Sequence, residues 1–93
     1  MPKYVIERNI PGAGRMSPAD LKAVSQKSSG VLHQLGPDIQ WIHSYVAGDK
    51  VYCVYHANSE DLIRRHASQC ELPADVISEV QAVIDPATAE MRV

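Results

Sequence analysis

The side chains best suited to chemistry in this sequence lie between residues 41 and 66. They are imidazoles, a thiol and large polar rings, namely Trp41, His43, Tyr45, Tyr52, Cys53, His56 and His66. Imidazole nitrogen and thiolate sulfur bind transition-metal ions, and aromatic rings provide apolar surface for small organic molecules. The residue types therefore suggest two kinds of site, a metal site and a small-molecule pocket.

Two segments rich in β-branched and aromatic residues predict a β-hairpin that positions most of these side chains. They are 39–47 (IQWIHSYVA) and 51–57 (VYCVYHA), joined by a tight turn at Gly48 and Asp49. This turn pairs Ala47 with Lys50, and alternation then assigns each side chain to one face of the hairpin. One face holds Ile42, Ser44, Val46, Val51, Cys53 and Tyr55, and the other holds Trp41, His43, Tyr45, Tyr52, Val54 and His56.

The remaining elements predict an α+β domain of the ferredoxin-like βαββαβ kind. We expect strands at 3–8 and 79–84 and helices at 18–35 and 60–70, with one further turn at 73–77. Ser17 and Pro18 start the first helix, and Gly36 ends it. A chain of 93 residues forms one domain, with a core at 3–86 and a peripheral tail at 87–93.

Two helices cover only one face of a four-stranded sheet. The compact, apolar face of the hairpin suits the helices, so we expect the ring-bearing face to point outward. A second copy of the chain is the occupant that we expect there, which predicts a homodimer with Trp41, Tyr45 and Tyr52 in the interface or in a pocket within it.

The histidines each allow a structural and a functional interpretation. His43 and His56 share the ring-bearing face, but two imidazoles without a third ligand are a weak metal signal. His66 falls in the apolar stripe of the second helix, where it is either a neutral core histidine or a ligand. Cys53 is either a buried apolar filler or a metal ligand.

Composition excludes several classes of function. The formal net charge is −2 with mixed signs, so no basic surface for nucleic acid is expected. No apolar run is long enough to cross a membrane, and charge appears within the first eight residues, which predicts a cytoplasmic protein. In that reducing compartment, we expect Cys53 and Cys70 to remain free thiols.

The segments Tyr4–Arg8, Trp41–Val46, Asp49–Ala57 and Ile63–Ala67 resemble a family of small bacterial domains of unknown function that includes a nickel-binding protein. The resemblance runs from residue 3 to Pro86. It implies a ferredoxin-like fold, a dimer and Ni²⁺ binding in the cytoplasm. The motif positions whose chemistry suits nickel are His43, Tyr45, Cys53 and His66.

Three functions follow from these observations. The first is a homodimeric nickel-binding protein that sequesters or delivers the ion through His43, His56, His66 and Cys53. The second is an enzyme or ligand-binding protein of the dimeric α+β barrel kind, which holds a small organic molecule against the rings. The third is a regulatory module whose aromatic face meets another protein.

Overall fold

The chain folds in the predicted order of strand, helix, hairpin, helix and strand. The structure is a computed structural model that describes residues 1–93. Its elements are β1 (Lys3–Asn9), α1 (Pro18–Leu35), β2 (Ile39–Ala47), β3 (Lys50–Ala57), α2 (Glu60–Cys70) and β4 (Val76–Glu79), with short 3-10 helices at Ala13–Arg15 and Pro86–Glu90. The sheet is antiparallel in the order β2-β3-β1-β4, which is the ferredoxin-like arrangement.

Local sequence signals set the bounds of both helices. At the start of α1, the Ser17 hydroxyl accepts a hydrogen bond from the backbone N–H of Asp20, whose carboxylate accepts one from the N–H of Ser17. Gly36 ends α1 with a φ of 89°. The hydroxyl of Ser59 caps α2 in the same manner as Ser17 caps α1, and Glu71 ends α2 in the left-handed region. Both predicted helices, 18–35 and 60–70, are confirmed.

Both helices pack on one face of the sheet, which we call the covered face. The buried core combines alternate residues of the strands with Ile63 of α2, and it consists of Tyr4, Ile6, Ile39, Cys53, Tyr55, Ala57 and Ile63. From α1, Leu32 and Leu35 pack against this cluster as half-buried side chains. The opposite face carries no helix, and we call it the open face.

The turn of the hairpin is confirmed, but the face predicted for Trp41 is wrong. Ala47 pairs with Lys50, and Gly48 has the positive φ of 62° that a tight hairpin turn requires. Further along, Trp41 pairs with Tyr55 and His43 with Val54, so Ile42 is the extra residue of a β-bulge. The bulge reverses the alternation once and turns Trp41 onto the covered face.

The last strand also differs from the prediction. It spans Val76–Glu79 instead of 79–84, and the turn expected at 73–77 does not form. The backbone N–H of Asp75 donates to Glu7 and its carboxylate accepts from Asn9, so pairing with β1 starts as soon as the chain leaves α2. Ile77 packs against the core, whereas Val83 and Ile84 are 70% and 78% exposed.

No helix of the structure combines the length and hydropathy needed to span a membrane.

Candidate functional site

The open face brings together four of the predicted site residues. His43 and Tyr45 of β2 lie beside Tyr52 and His56 of β3, with Tyr45 directly opposite Tyr52. The rings of His43 and Tyr45 meet edge to face, with centroids 5.0 Å apart. Tyr45 lies on the edge strand β2 and is 60% exposed. This face is therefore accessible and rich in aromatic and imidazole groups.

His43 and His56 are diagonal neighbours on adjacent strands. His43 pairs with Val54, and His56 lies two residues further along β3 on the same face. Diagonal neighbours in a sheet are roughly 7–8 Å apart, which allows two imidazoles to approach one ion. No group of three or more histidine, cysteine or acidic side chains is close enough within one chain to hold a metal.

Trp41 does not join the rings of the open face. It lies half-buried against the core on the covered face, and its indole Nε1 donates to the hydroxyl of Ser44 at 2.9 Å. The predicted cluster of Trp41, Tyr45 and Tyr52 is therefore divided between the two faces of the sheet.

Cys53 and His66 lie on the covered side of the sheet, away from His43 and His56. Cys53 is 5% exposed, and its sulfur accepts a hydrogen bond from Nε of Arg8 at 3.4 Å. Both cysteines are free thiols, as expected. The four predicted metal ligands form two separate pairs, one on each side of the sheet.

His66 is fully buried between α1, α2 and the sheet. Its Nε2 contacts the hydroxyl of Ser28 at 3.1 Å and the thiol of Cys70 at 3.4 Å, and its ring packs on Tyr55 at 5.4 Å. Burial lowers the pKa of His66, and the charge of Arg8 lowers it further, although Ser28 opposes this shift. The imidazole is therefore neutral at pH 7 and is bonded within the core.

Arg8 is a residue of chemical interest that the sequence analysis did not single out. It is 1% exposed in the centre of the covered face. The alternation of Tyr4, Ile6 and Arg8 along β1 is the signal that places it there, since residues two apart in a strand share a face. Arginine is seldom buried without a partner, so its position requires an explanation.

The sequence profile described as "Nickel responsive protein SCO4226-like" matches residues 4–80. This chain belongs to the SCO4226-like family. The match ends shortly after β4 and leaves out the exposed tail. Membership confirms the resemblance drawn from the hairpin and helix motifs, and the name of the family connects it with nickel.

A solved structure supports the same fold. The crystal structure of SCO4226 from Streptomyces coelicolor A3(2) superposes with a TM-score of 0.72, at 18% identity, over 88% of this chain and 99% of that chain. At this identity the likeness to SCO4226 concerns the fold. No curated protein matches the sequence.

The open face carries two candidate nickel donors per chain, and no third histidine, cysteine or acidic side chain lies close enough to complete a group of three. Imidazole nitrogen is an accepted ligand for Ni²⁺. His43 and His56 provide two such nitrogens per chain, and both side chains remain accessible on the uncovered sheet. Cys53 and His66 are less suited to the ion. Arg8 bonds the sulfur of Cys53, Ser28 bonds Nε2 of His66, and Nδ1 of His66 is buried in the core.

Proposed function

We propose that this protein is a cytoplasmic Ni²⁺-binding protein that sequesters or delivers the ion as a homodimer. The observation that carries the proposal is the pair of imidazoles on the open face, in a chain that belongs to a nickel responsive family. His43 and His56 of each copy are the proposed donors.

The proposal includes a dimer because each chain supplies only two imidazole donors. Two imidazoles from one chain leave most of the coordination sphere of Ni²⁺ to water, whereas two copies related by a two-fold axis bring four. The same contact would cover Tyr45, which is exposed in the single chain, and Tyr52, which is half-buried there. Metal binding and pairing of the open faces are therefore coupled.

Calorimetric titration of the metal-free protein with Ni²⁺ tests this site. We expect about one ion per two chains, and we expect His43→Gln and His56→Gln each to weaken binding by about tenfold or more. His33→Gln is the matched control, because His33 is exposed on α1 and away from the open face.

Unchanged Ni²⁺ affinity in both open-face variants would remove the proposed ligands. An equal loss in His33→Gln would show that the ion binds exposed imidazoles without a defined site. Competition with Zn²⁺ and Cu²⁺ should be measured in parallel, because Cu²⁺ binds most nitrogen donors more tightly than Ni²⁺ does.

A further inference from the structure

A partly open cavity lies between α1 and the covered face of the sheet, on the opposite side from the proposed nickel donors. Its volume is about 270 Å³. Most of its wall is apolar, and the lining includes Met16, Leu21, Val24, Trp41, Val51 and Leu72. Among the polar side chains of the wall, Arg8 and Tyr55 are the ones that can recognise a ligand.

Arg8 is the only charged side chain in the wall, and one of its nitrogens has no partner. Its Nε donates to the sulfur of Cys53, and its Nη1 donates to the backbone carbonyl of Pro73. Its Nη2 is buried and makes no hydrogen bond. The ion pairs of the chain are Lys50 with Glu7 and Arg64 with Glu60, so no carboxylate neutralises Arg8.

The guanidinium of Arg8 remains charged despite its burial. Burial alone would lower the pKa of Arg8, but its contacts with Cys53 and Tyr55 outweigh that effect and raise it. A buried cation without a counter-ion is costly, and so is a buried N–H group without an acceptor. An anion beside Nη2 would remove both costs.

We propose that this cavity binds a small organic anion, with its carboxylate at the guanidinium of Arg8 and its apolar body between α1 and Trp41. One water-sized group of atoms occupies ~30 Å³, so the cavity accommodates roughly nine such groups. This is the size of a medium-chain or phenyl-substituted monocarboxylate. The site is independent of the nickel proposal, because the donors of that proposal lie on the other face of the sheet.

Tyr55 supplies a second donor for the same anion. Its ring is 1% exposed and its side chain lines the cavity beside Arg8. Burial raises the pKa of Tyr55 to about 12, so the phenol keeps its proton and can donate to a carboxylate. A cation and a neutral donor at one end of an apolar space favour an amphipathic acid over a fully polar one.

Titration calorimetry with octanoate, 3-phenylpropanoate and octyl phosphate tests the proposal, with octanol as the neutral probe. We expect at least one acid to bind at one molecule per chain, and octanol to bind about tenfold more weakly or worse. Arg8→Met should lower the affinity for that acid by about tenfold or more while leaving octanol unchanged. Arg65→Gln is the matched control, since Arg65 is exposed on α2.

A second variant keeps the test decisive if Arg8→Met does not fold. Val24→Phe leaves Arg8 in place but fills the cavity from α1, so it should weaken the acid and octanol together. The proposal is overturned if none of the acids binds below about 1 mM. It is also overturned if the acid binds every folded variant equally, because that result indicates a surface site.

Discussion

At the scale of single residues, burial determines the chemistry of the groups beneath the helices. His66 has hydrogen-bond partners for one nitrogen, whereas its Nδ1 has none. The least costly state is a neutral ring whose Nε2–H bonds to Ser28, because an unpaired lone pair costs less than an unpaired N–H. Burial also raises the pKa of the neighbouring Cys70 thiol, so that contact is neutral as well.

The burial of His66 predicts that the stability of the protein depends on pH. The pKa of His66 is lowered in the folded protein, so below about pH 6.5 the unfolded chain binds a proton that the folded chain does not. The free energy of unfolding should therefore be maximal above that pH and fall by up to about 1.4 kcal/mol per pH unit below it. Urea unfolding at several pH values between about 5 and 7.5 measures this slope.

Two histidine variants isolate the contribution of His66. His66→Gln should reduce the slope, whereas His33→Gln should keep it, since His33 is exposed on α1. A slope that is the same in both variants and in the wild-type protein would mean that His66 is not the titrating group.

At the scale of elements, the bulge in β2 decides which rings share a face. If Ile42 were a regular, paired strand residue, strict alternation would place Trp41 on the same face as His43. The extra residue lets Trp41 reach the core while His43 still faces outward. One irregular residue therefore separates the cavity on the covered face from the imidazoles on the open face.

The role of the bulge predicts that deletion of Ile42 is tolerated. Deletion would restore regular pairing and leave Trp41 inward and His43 outward, and Ile42 itself is 41% exposed. We expect the free energy of unfolding to change by no more than about 1 kcal/mol. Urea unfolding followed by the fluorescence of Trp41 measures both stability and the environment of the indole.

Deletion of Ser44 is the matched comparison. It also removes one residue from β2, but it turns His43 inward and removes the hydroxyl that accepts from Trp41. We expect it to cost about 1–3 kcal/mol more than deletion of Ile42. Equal losses in the two deletions would show that the bulge itself is required for the fold.

At the scale of the whole molecule, the sheet has one covered face and one open face. On the open face, Tyr45 of the edge strand β2 is 60% exposed and Val76 of the opposite edge strand β4 is 45% exposed. An ion pair between Lys50 and Glu7 lies on the same face, where Glu7 of the inner strand β1 is flanked by Tyr52 and Val76. The open face thus combines accessible aromatic rings with a charged pair, and aromatic residues are enriched at protein interfaces.

The proposed homodimer predicts that a charge on the open face produces monomers. Tyr45→Glu would place a carboxylate within the proposed contact, opposite Tyr52, where it would have to be desolvated without a partner. Sedimentation velocity at micromolar concentration should give a dimer for the wild-type protein and a monomer for this variant. Val83→Glu in the exposed segment after β4 should remain dimeric.

A wild-type protein that sediments as a monomer both with and without Ni²⁺ would contradict pairing through the open face. A dimer that survives Tyr45→Glu would place the contact elsewhere on the molecule. The nickel titration would then decide separately whether His43 and His56 of one chain bind the ion alone.

Short-range interactions made much of this protein predictable from its sequence. The caps at Ser17 and Ser59 and the turn at Gly48 depend on residues within a few positions, so the bounds of both helices and the hairpin follow from local patterns. The grouping of His43, Tyr45, Tyr52 and His56 follows as well. The first three lie between the turn and the bulge or directly across from that stretch, and His56 lies on β3, where alternation is unbroken.

Only the tertiary structure decided the position of β4, the face of Trp41 and the surroundings of Arg8. Val80 to Ile84 have strand character, but pairing starts earlier because Asp75 bonds to β1. The cavity and the unpaired Nη2 of Arg8 arise where α1, β1 and β3 meet, and their residues are distant in sequence. Local patterns determine which element forms, whereas the packing of distant elements determines which side chains are enclosed together.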